Sequence, residues 1–142
     1  MYYEKKEKKE KERDGKRRFI EVAKKEGWQV HTLNVSAGEF STTGFPDAFM
    51  AISPSRLCSL LYRYKDVISK ITLPFEINIV RENYRWIEFK TKTGLLEASQ
   101  VERFRKFAEC NIGVWVVFDE TDYLDIFRPP NWWKFCLAGR IK

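Results

Sequence analysis

One histidine and three cysteines are all that this chain of 142 residues offers toward thiol or soft-metal chemistry. With His31 as the lone imidazole, any site that needs two histidine ligands is excluded. Cys58, Cys110 and Cys136 are odd in number, far apart, and in neither a CxxC pair nor the company of the histidine. Neither a disulfide framework nor a zinc site is expected from them; three reduced, partly buried thiols are. Long hydrophobic runs are missing too. No stretch approaches the roughly 20 apolar residues of a membrane helix. The chain opens on lysines and glutamates, not on an apolar leader with a small-residue cleavage site. A soluble, intracellular, cytoplasmic protein with no membrane partner is expected; in a eukaryotic host the basic run could direct it to the nucleus.

What is present is enough for a core. Apolar residues make up 44% of the chain and aromatics 15%, which argues against wholesale disorder. The length suits one domain. The net charge of +6 and the isoelectric point near 9.2 favour a polyanionic partner. Much of the excess lies in Lys5 to Arg18 (KKEKKEKERDGKRR). Residues 1–15 read as a charged appendage, either a frayed helix with Glu–Lys pairs or a disordered tail, and 16–142 as the single domain.

Hydrophobic spacing gives the elements. Arg17 to Glu26 has Phe19, Ile20 and Ala23 on one helical face, with Gly27 as a stop. Trp28 to Val35 alternates as a strand, and Ser36 to Gly44 is a polar loop that would rim a cleft. Phe45 to Ile52 is a second strand, ended by Pro54. Ser55 to Lys70 spaces Leu57, Leu60, Leu61, Tyr64 and Ile68 as a helix with Ser55 as its cap. Phe75 to Val80 alternates as a strand, and Arg85 to Thr91 is the next, so the two could form a hairpin. Glu97 to Cys110 is the best helix in the chain. Val114 to Phe118 is an apolar run expected in the centre of a sheet. Thr121 to Phe127 could be a strand or a turn, and Pro129-Pro130 should end regular structure. An α/β domain results, with a mixed sheet and helices on both faces.

The chemistry concentrates at three residues. Glu88 and Lys90 are two apart on a strand and therefore share a face, while Ile87 and Phe89 take the other. Asp47 opens an earlier strand and can join them if the strands are neighbours. Two carboxylates, a main-chain carbonyl and waters suit Mg²⁺ or Mn²⁺. A neighbouring ammonium suits charge stabilisation at a phosphate. Singly, an E-x-K on a strand is a solvated face and a Pro-Asp pair is a turn; the ordered set carries the weight.

Gly44-Phe45-Pro46-Asp47, then Trp86-Ile87-Glu88-Phe89-Lys90, then Gly94-Leu95-Leu96 and Gln100 resemble the PD-(D/E)XK nuclease superfamily. Virus-type replication-repair nuclease domains and archaeal-type Holliday junction resolvases are the most similar branches, over roughly residues 17 to 118. The resemblance implies a restriction-endonuclease-like αβββαβ core and a Mg²⁺- or Mn²⁺-dependent enzyme that hydrolyses DNA. It implies Asp47, Glu88 and the Phe89 carbonyl as metal ligands and Lys90 as the catalytic lysine. It further implies that Gln100 serves at the site from the start of the following helix, and Glu21 is the nearest match to the acidic residue that the family often has in its first helix. Two departures stand out. About forty residues separate Asp47 from Glu88, so the helix near 55–70 reads as an insertion and Phe75 to Val80 could displace Asp47's strand as the neighbour of Glu88's. Glu97-Ala98 stands where the family often caps its glutamine helix with Ser-Pro.

Lys92, Arg103, Arg17 and Arg18 are candidates for phosphate contacts; a solvated helix face is the alternative for Arg103 and a solubilising tail for Arg17 and Arg18. Trp132, Trp133 and Phe135 could stack on bases, but packing onto the core is favoured. Many junction-cutting relatives are homodimers, because two symmetric cuts need two sites. The rival to a nuclease is a non-catalytic nucleic-acid-binding or regulatory protein on the same fold.

Overall fold

Among the described residues, four short strands make one sheet in the order β1 (Gln29–Thr32), β2 (Ala48–Ala51), β3 (Tyr84–Phe89), β4 (Val114–Val117). The first three pair antiparallel and β4 runs parallel to β3, so the sheet is mixed. The computed structural model describes residues 2–33, 44–69, 74–91 and 93–142, with side chains of the first helix from Arg13 onward. Its helices are α1 (Tyr2–Lys25), α2 (Pro54–Arg63), α3 (Lys65–Ile68), α4 (Pro74–Arg81), α5 (Ala98–Glu109) and α6 (Trp132–Leu137), with a 3-10 segment at Glu120–Phe127. The charged N-terminal run belongs to the same helix as Arg17 to Lys25.

Alternation along the strands sorts two cores. Ala48, Met50, Ile87, Phe89, Trp115 and Val117 face one side, where they meet Phe19 and Ala23 of α1, Leu57 and Leu60 of α2, and Tyr123, Ile126 and Phe127 of the 3-10 segment. Val114 and Val116 face the other side, against Val101 and Phe104 of α5 and Trp132 and Phe135 of α6. Trp132 and Phe135 are thus core residues; Trp133 stays 44% exposed.

Several expectations need correction. Residues 75–80 are not a strand: they lie in α4, with Pro74 as the first helical residue. A six-residue apolar run does not distinguish strand from helix by period alone, and a proline whose fixed φ suits N1 decides it here. The same applies to Pro54, which starts α2; the cap is Ser53, whose hydroxyl accepts from Arg56 N at 3.3 Å, and not Ser55. The 55–70 helix breaks at Tyr64 into α2 and α3, and Lys70 lies outside the described residues. Pro129-Pro130 does not end regular structure, since α6 follows. Two of the three thiols, Cys58 and Cys110, are exposed instead of partly buried.

β4 is buried at all four positions yet sits at the end of the strand order, not in its centre. Its free edge is covered by side chains. Asn131 Oδ1 accepts from Val116 N at 2.7 Å while its Nδ2 donates to Val116 O at 2.8 Å, and Asp122 Oδ2 accepts from Phe118 N at 2.6 Å. These contacts satisfy ladder groups that an open edge would leave to water or to another chain.

α1 crosses the sheet with no room for a side chain at Gly15, where a Cβ would collide with the Phe118 carbonyl oxygen. Gly15→Ala adds up to about 1 kcal/mol of helix propensity. It is nonetheless expected to cost about 1–2 kcal/mol of stability and so to lower the urea midpoint, because helix and strand end must separate. A midpoint at or above that of the wild type would mean that α1 is not held there.

Candidate active site

The Pro-Asp strand and the Glu-x-Lys strand are direct neighbours. Ala48 pairs with Ile87 and Phe49 with Trp86, so one further step of the register sets Asp47 opposite Glu88. Residues opposite each other on paired strands share a face. Helices α2 to α4, which lie between β2 and β3 in the chain, therefore do not part the two strands.

Asp47 is held by main chain on both sides. Its Oδ2 accepts from Phe89 N at 2.8 Å, and its own carbonyl accepts from Leu33 N at 2.8 Å. The residues before it are wedged against α5. Phe45 packs edge-on to Trp86 and Phe107, at centroid distances of 5.4 and 5.7 Å. Gly44 has φ +85 and lies so close to α5 that a Cβ would come within 2.5 Å of the Ser99 carbonyl. Only glycine fits that approach and that dihedral together. The cleft-rim stretch 36–43 lies outside the described residues.

Glu88 is 2% exposed. Its Oε2 accepts from Gln100 Nε2 at 2.9 Å and lies 3.3 Å from Lys90 Nζ. Among the described residues, its Oε1 is buried without any hydrogen-bond partner. Burial, and next the charge on Asp47, push its carboxyl up to about 8, against the pull of Lys90 and Gln100. Gln100 works in two directions: its Oε1 accepts from Glu97 N at 3.0 Å, fixing the helix start, while its amide reaches Glu88. The cap that departs from the family pattern thus serves through Gln100 itself. The stretch between Lys90 and α5 is clamped by the C-terminal residues. Leu96 N donates to Arg140 O at 3.0 Å, Lys142 N to Leu96 O at 2.8 Å, and Arg140 Nη2 to Gly94 O at 2.8 Å.

Asp47, Glu88, Lys90 and Gln100 are therefore brought together. Glu21 is not: it is exposed on α1, 3.6 Å from Arg17, and α1 covers the opposite face of the sheet. Arg17 is exposed between Asp14 and Glu21, and Arg18 is bound to Glu120 at 2.7 Å. Arg103 is half-buried on α5, and Lys92 lies outside the described residues. His31 is exposed on β1. Among the described residues no three His, Cys, Asp or Glu side chains form a cluster. A cation here would rest on two carboxylates and the Phe89 carbonyl. Mg²⁺, a hard ion that keeps several waters, suits so small an all-oxygen set. The unpartnered Glu88 Oε1 beside Asp47 is the feature that a cation would satisfy.

Reading the sequence for charged residues passed over an aromatic row on the same face. Phe49 stands two residues after Asp47, Trp86 two before Glu88 and Tyr84 two before that. The period of two that links Glu88 to Lys90 carries the face back to all three. No protein-family model, curated protein or solved structure matches the chain.

Proposed function

We propose that the protein is a metal-dependent nuclease that hydrolyses DNA phosphodiester bonds at Asp47, Glu88 and Lys90. The observation that carries this reading is the buried, unpartnered Glu88 Oε1 on a strand adjacent to that of Asp47, with an ammonium 3.3 Å from the other oxygen. Leaving such an oxygen dry and unpaired is costly, and a cation shared with Asp47 accounts for it. The element order supports the same reading. With α2 to α4 set aside as an insertion, α1, β1, β2, β3, α5 and β4 run αβββαβ, the order of a restriction-endonuclease-like core.

Asp47, Glu88 and the Phe89 carbonyl would hold Mg²⁺ or Mn²⁺, which when bound acidifies a water and neutralises charge on a phosphate. Lys90 supplies a fixed positive charge to the phosphate oxygens and a donor to orient the attacking water. Gln100 keeps Glu88 turned toward the site and leaves its second oxygen free. Burial at Glu88 and Phe89 limits the water that could screen these charges.

The test is cleavage of supercoiled plasmid DNA with Mg²⁺ or Mn²⁺. The wild type should nick or linearise it, and chelation should stop the reaction. Asp47→Ala, Glu88→Ala and Lys90→Ala should abolish cleavage while DNA binding survives. A purified protein that cuts neither plasmid nor single-stranded circular DNA nor a duplex with an unpaired arm with either ion, or a Glu88→Ala protein that cuts like wild type, refutes the reading.

A further inference from the structure

The two faces of the sheet are covered unequally. On the α1 side every strand is packed over. On the other side α5 and α6 pack on β4 and on Trp86 of β3. Over β1 and β2 that face carries His31 and Gln29, both exposed, and Phe49 and Ala51, half-buried; Tyr84 of β3 is half-buried beside them. The aromatic rings there form a continuous row. Tyr84 and Phe49 have centroids 6.0 Å apart with planes 31° from parallel, and Phe49 and Trp86 are 4.8 Å apart. The row begins where the carboxylates stand, since Phe49 and Asp47 share one strand face, as do Trp86 and Glu88.

A basic residue stands on the neighbouring helix α5. On α5, Gln100 reaches Glu88 and Phe107 stacks on Trp86 at 6.3 Å. Arg103 lies three residues after the first and four before the second, on the same helical face. It is half-buried, and among the described residues no carboxylate pairs with it.

We propose that this row is a stacking platform for an unpaired nucleic-acid strand, with Arg103 taking a backbone phosphate, and that it leads the strand to Asp47 and Glu88. Aromatic side chains bind bases of any sequence through their faces, and an adjacent cation tracks the phosphates. Duplex, with its bases already stacked, gains nothing from the rings. The inference rests on the nuclease reading only for the direction in which the strand is led; its binding test needs no cleavage. The substrate class it names is single-stranded DNA, or a duplex with an unpaired arm.

The test is fluorescence anisotropy in EDTA, so that no bond is cut, with a labelled oligothymidylate of about twenty nucleotides and a blunt duplex of equal length. Phe49→Leu and Tyr84→Leu keep an apolar side chain and remove the ring. Each should weaken oligothymidylate binding about tenfold and leave duplex binding within about twofold. Tyr84→Phe, which keeps the ring, should bind like the wild type, as a role confined to packing would not require of the binding data. Arg103→Gln should weaken oligothymidylate binding and flatten its salt dependence by about one counterion. Unchanged oligothymidylate affinity in both leucine variants overturns the proposal, as does an equal loss for duplex. So does a wild type that is dimeric by light scattering and becomes monomeric in the leucine variants, because a second copy then covers the face. Selective binding with no cleavage of plasmid, single-stranded circular DNA or a duplex with an unpaired arm, with either ion, would leave the platform standing and sink the nuclease.

Discussion

Glu88→Gln is expected to lower metal-dependent cleavage about a thousandfold, and at the same time to make the metal-free protein more stable at pH 8. The two outcomes have one cause. Burial and the Asp47 charge push the Glu88 carboxyl up to about 8, from the value near 4.5 that an unfolded chain gives it. Between those values the folded protein binds a proton that the unfolded chain has released. Stability of the metal-free protein is then full below about 4.5, falls as pH rises, and has lost the Glu88 contribution by about pH 8. Glutamine carries no charge to bury, so the variant should not show that part of the decline.

A divalent cation should reverse the decline in the wild type. It binds the ionised pair and competes with the proton, so added Mg²⁺ should raise the melting temperature little at pH 5 and several degrees at pH 8. Glu88→Gln should respond weakly at both. Thermal melts at the two pH values, with and without Mg²⁺, measure this apart from any nuclease assay. A Mg²⁺ shift as large at pH 5 as at pH 8, or undiminished in the variant, would show that the ion binds elsewhere.

The convergence of Asp47, Glu88 and Lys90 could be read from the sequence because strand periodicity is strict. Two residues apart means one face, and a hydrophobic pattern that fixes Ile87 and Phe89 in the core fixes Glu88 and Lys90 opposite. What could not be read was which strands adjoin. Residues 75–80 competed with β2 as the neighbour of β3, and only their folding as α4 removes the competition. Prolines account for most of the misplaced boundaries. Pro54 reads as the end of a strand and Pro74 stands just before what reads as one, yet both begin helices in the structure, because the missing N–H costs nothing at the first turn of a helix. β4 looked central because all four of its residues are apolar, but burial there comes from layers above and below and from Asn131 along the edge. Glu21 was carried by resemblance alone, although the helical spacing that puts Phe19 and Ala23 on the core face already turns Glu21 away from it.

The largest expected loss of stability lies at a residue with no place in the chemistry. Arg85 is fully buried on β3, on the α1 side of the sheet. Its Nε donates to Ile126 O at 2.9 Å and one Nη1 bond reaches Tyr84 O at 2.7 Å; further bonds run to Glu82 O and Val80 O. The guanidinium lies 4.9 Å from the Trp115 ring and 5.4 Å from that of Trp28. Burial pushes it down to about 9, which still leaves it charged at neutral pH. Val80 O belongs to the end of α4, Glu82 O to the residue just after it, and Ile126 O to the 3-10 segment, so one planar fork ties α4 and the 3-10 segment to β3. Arg85→Met keeps much of the volume but strands several buried carbonyls, and should cost about 3–5 kcal/mol in urea unfolding. That is a large share of the roughly 5–15 kcal/mol of a typical domain. Arg85→Lys should recover only part, since an ammonium has three donors and no fork to span acceptors this far apart. Methionine and arginine proteins of equal stability would mean that water reaches those carbonyls, and that α4 is held to the sheet by its apolar face alone.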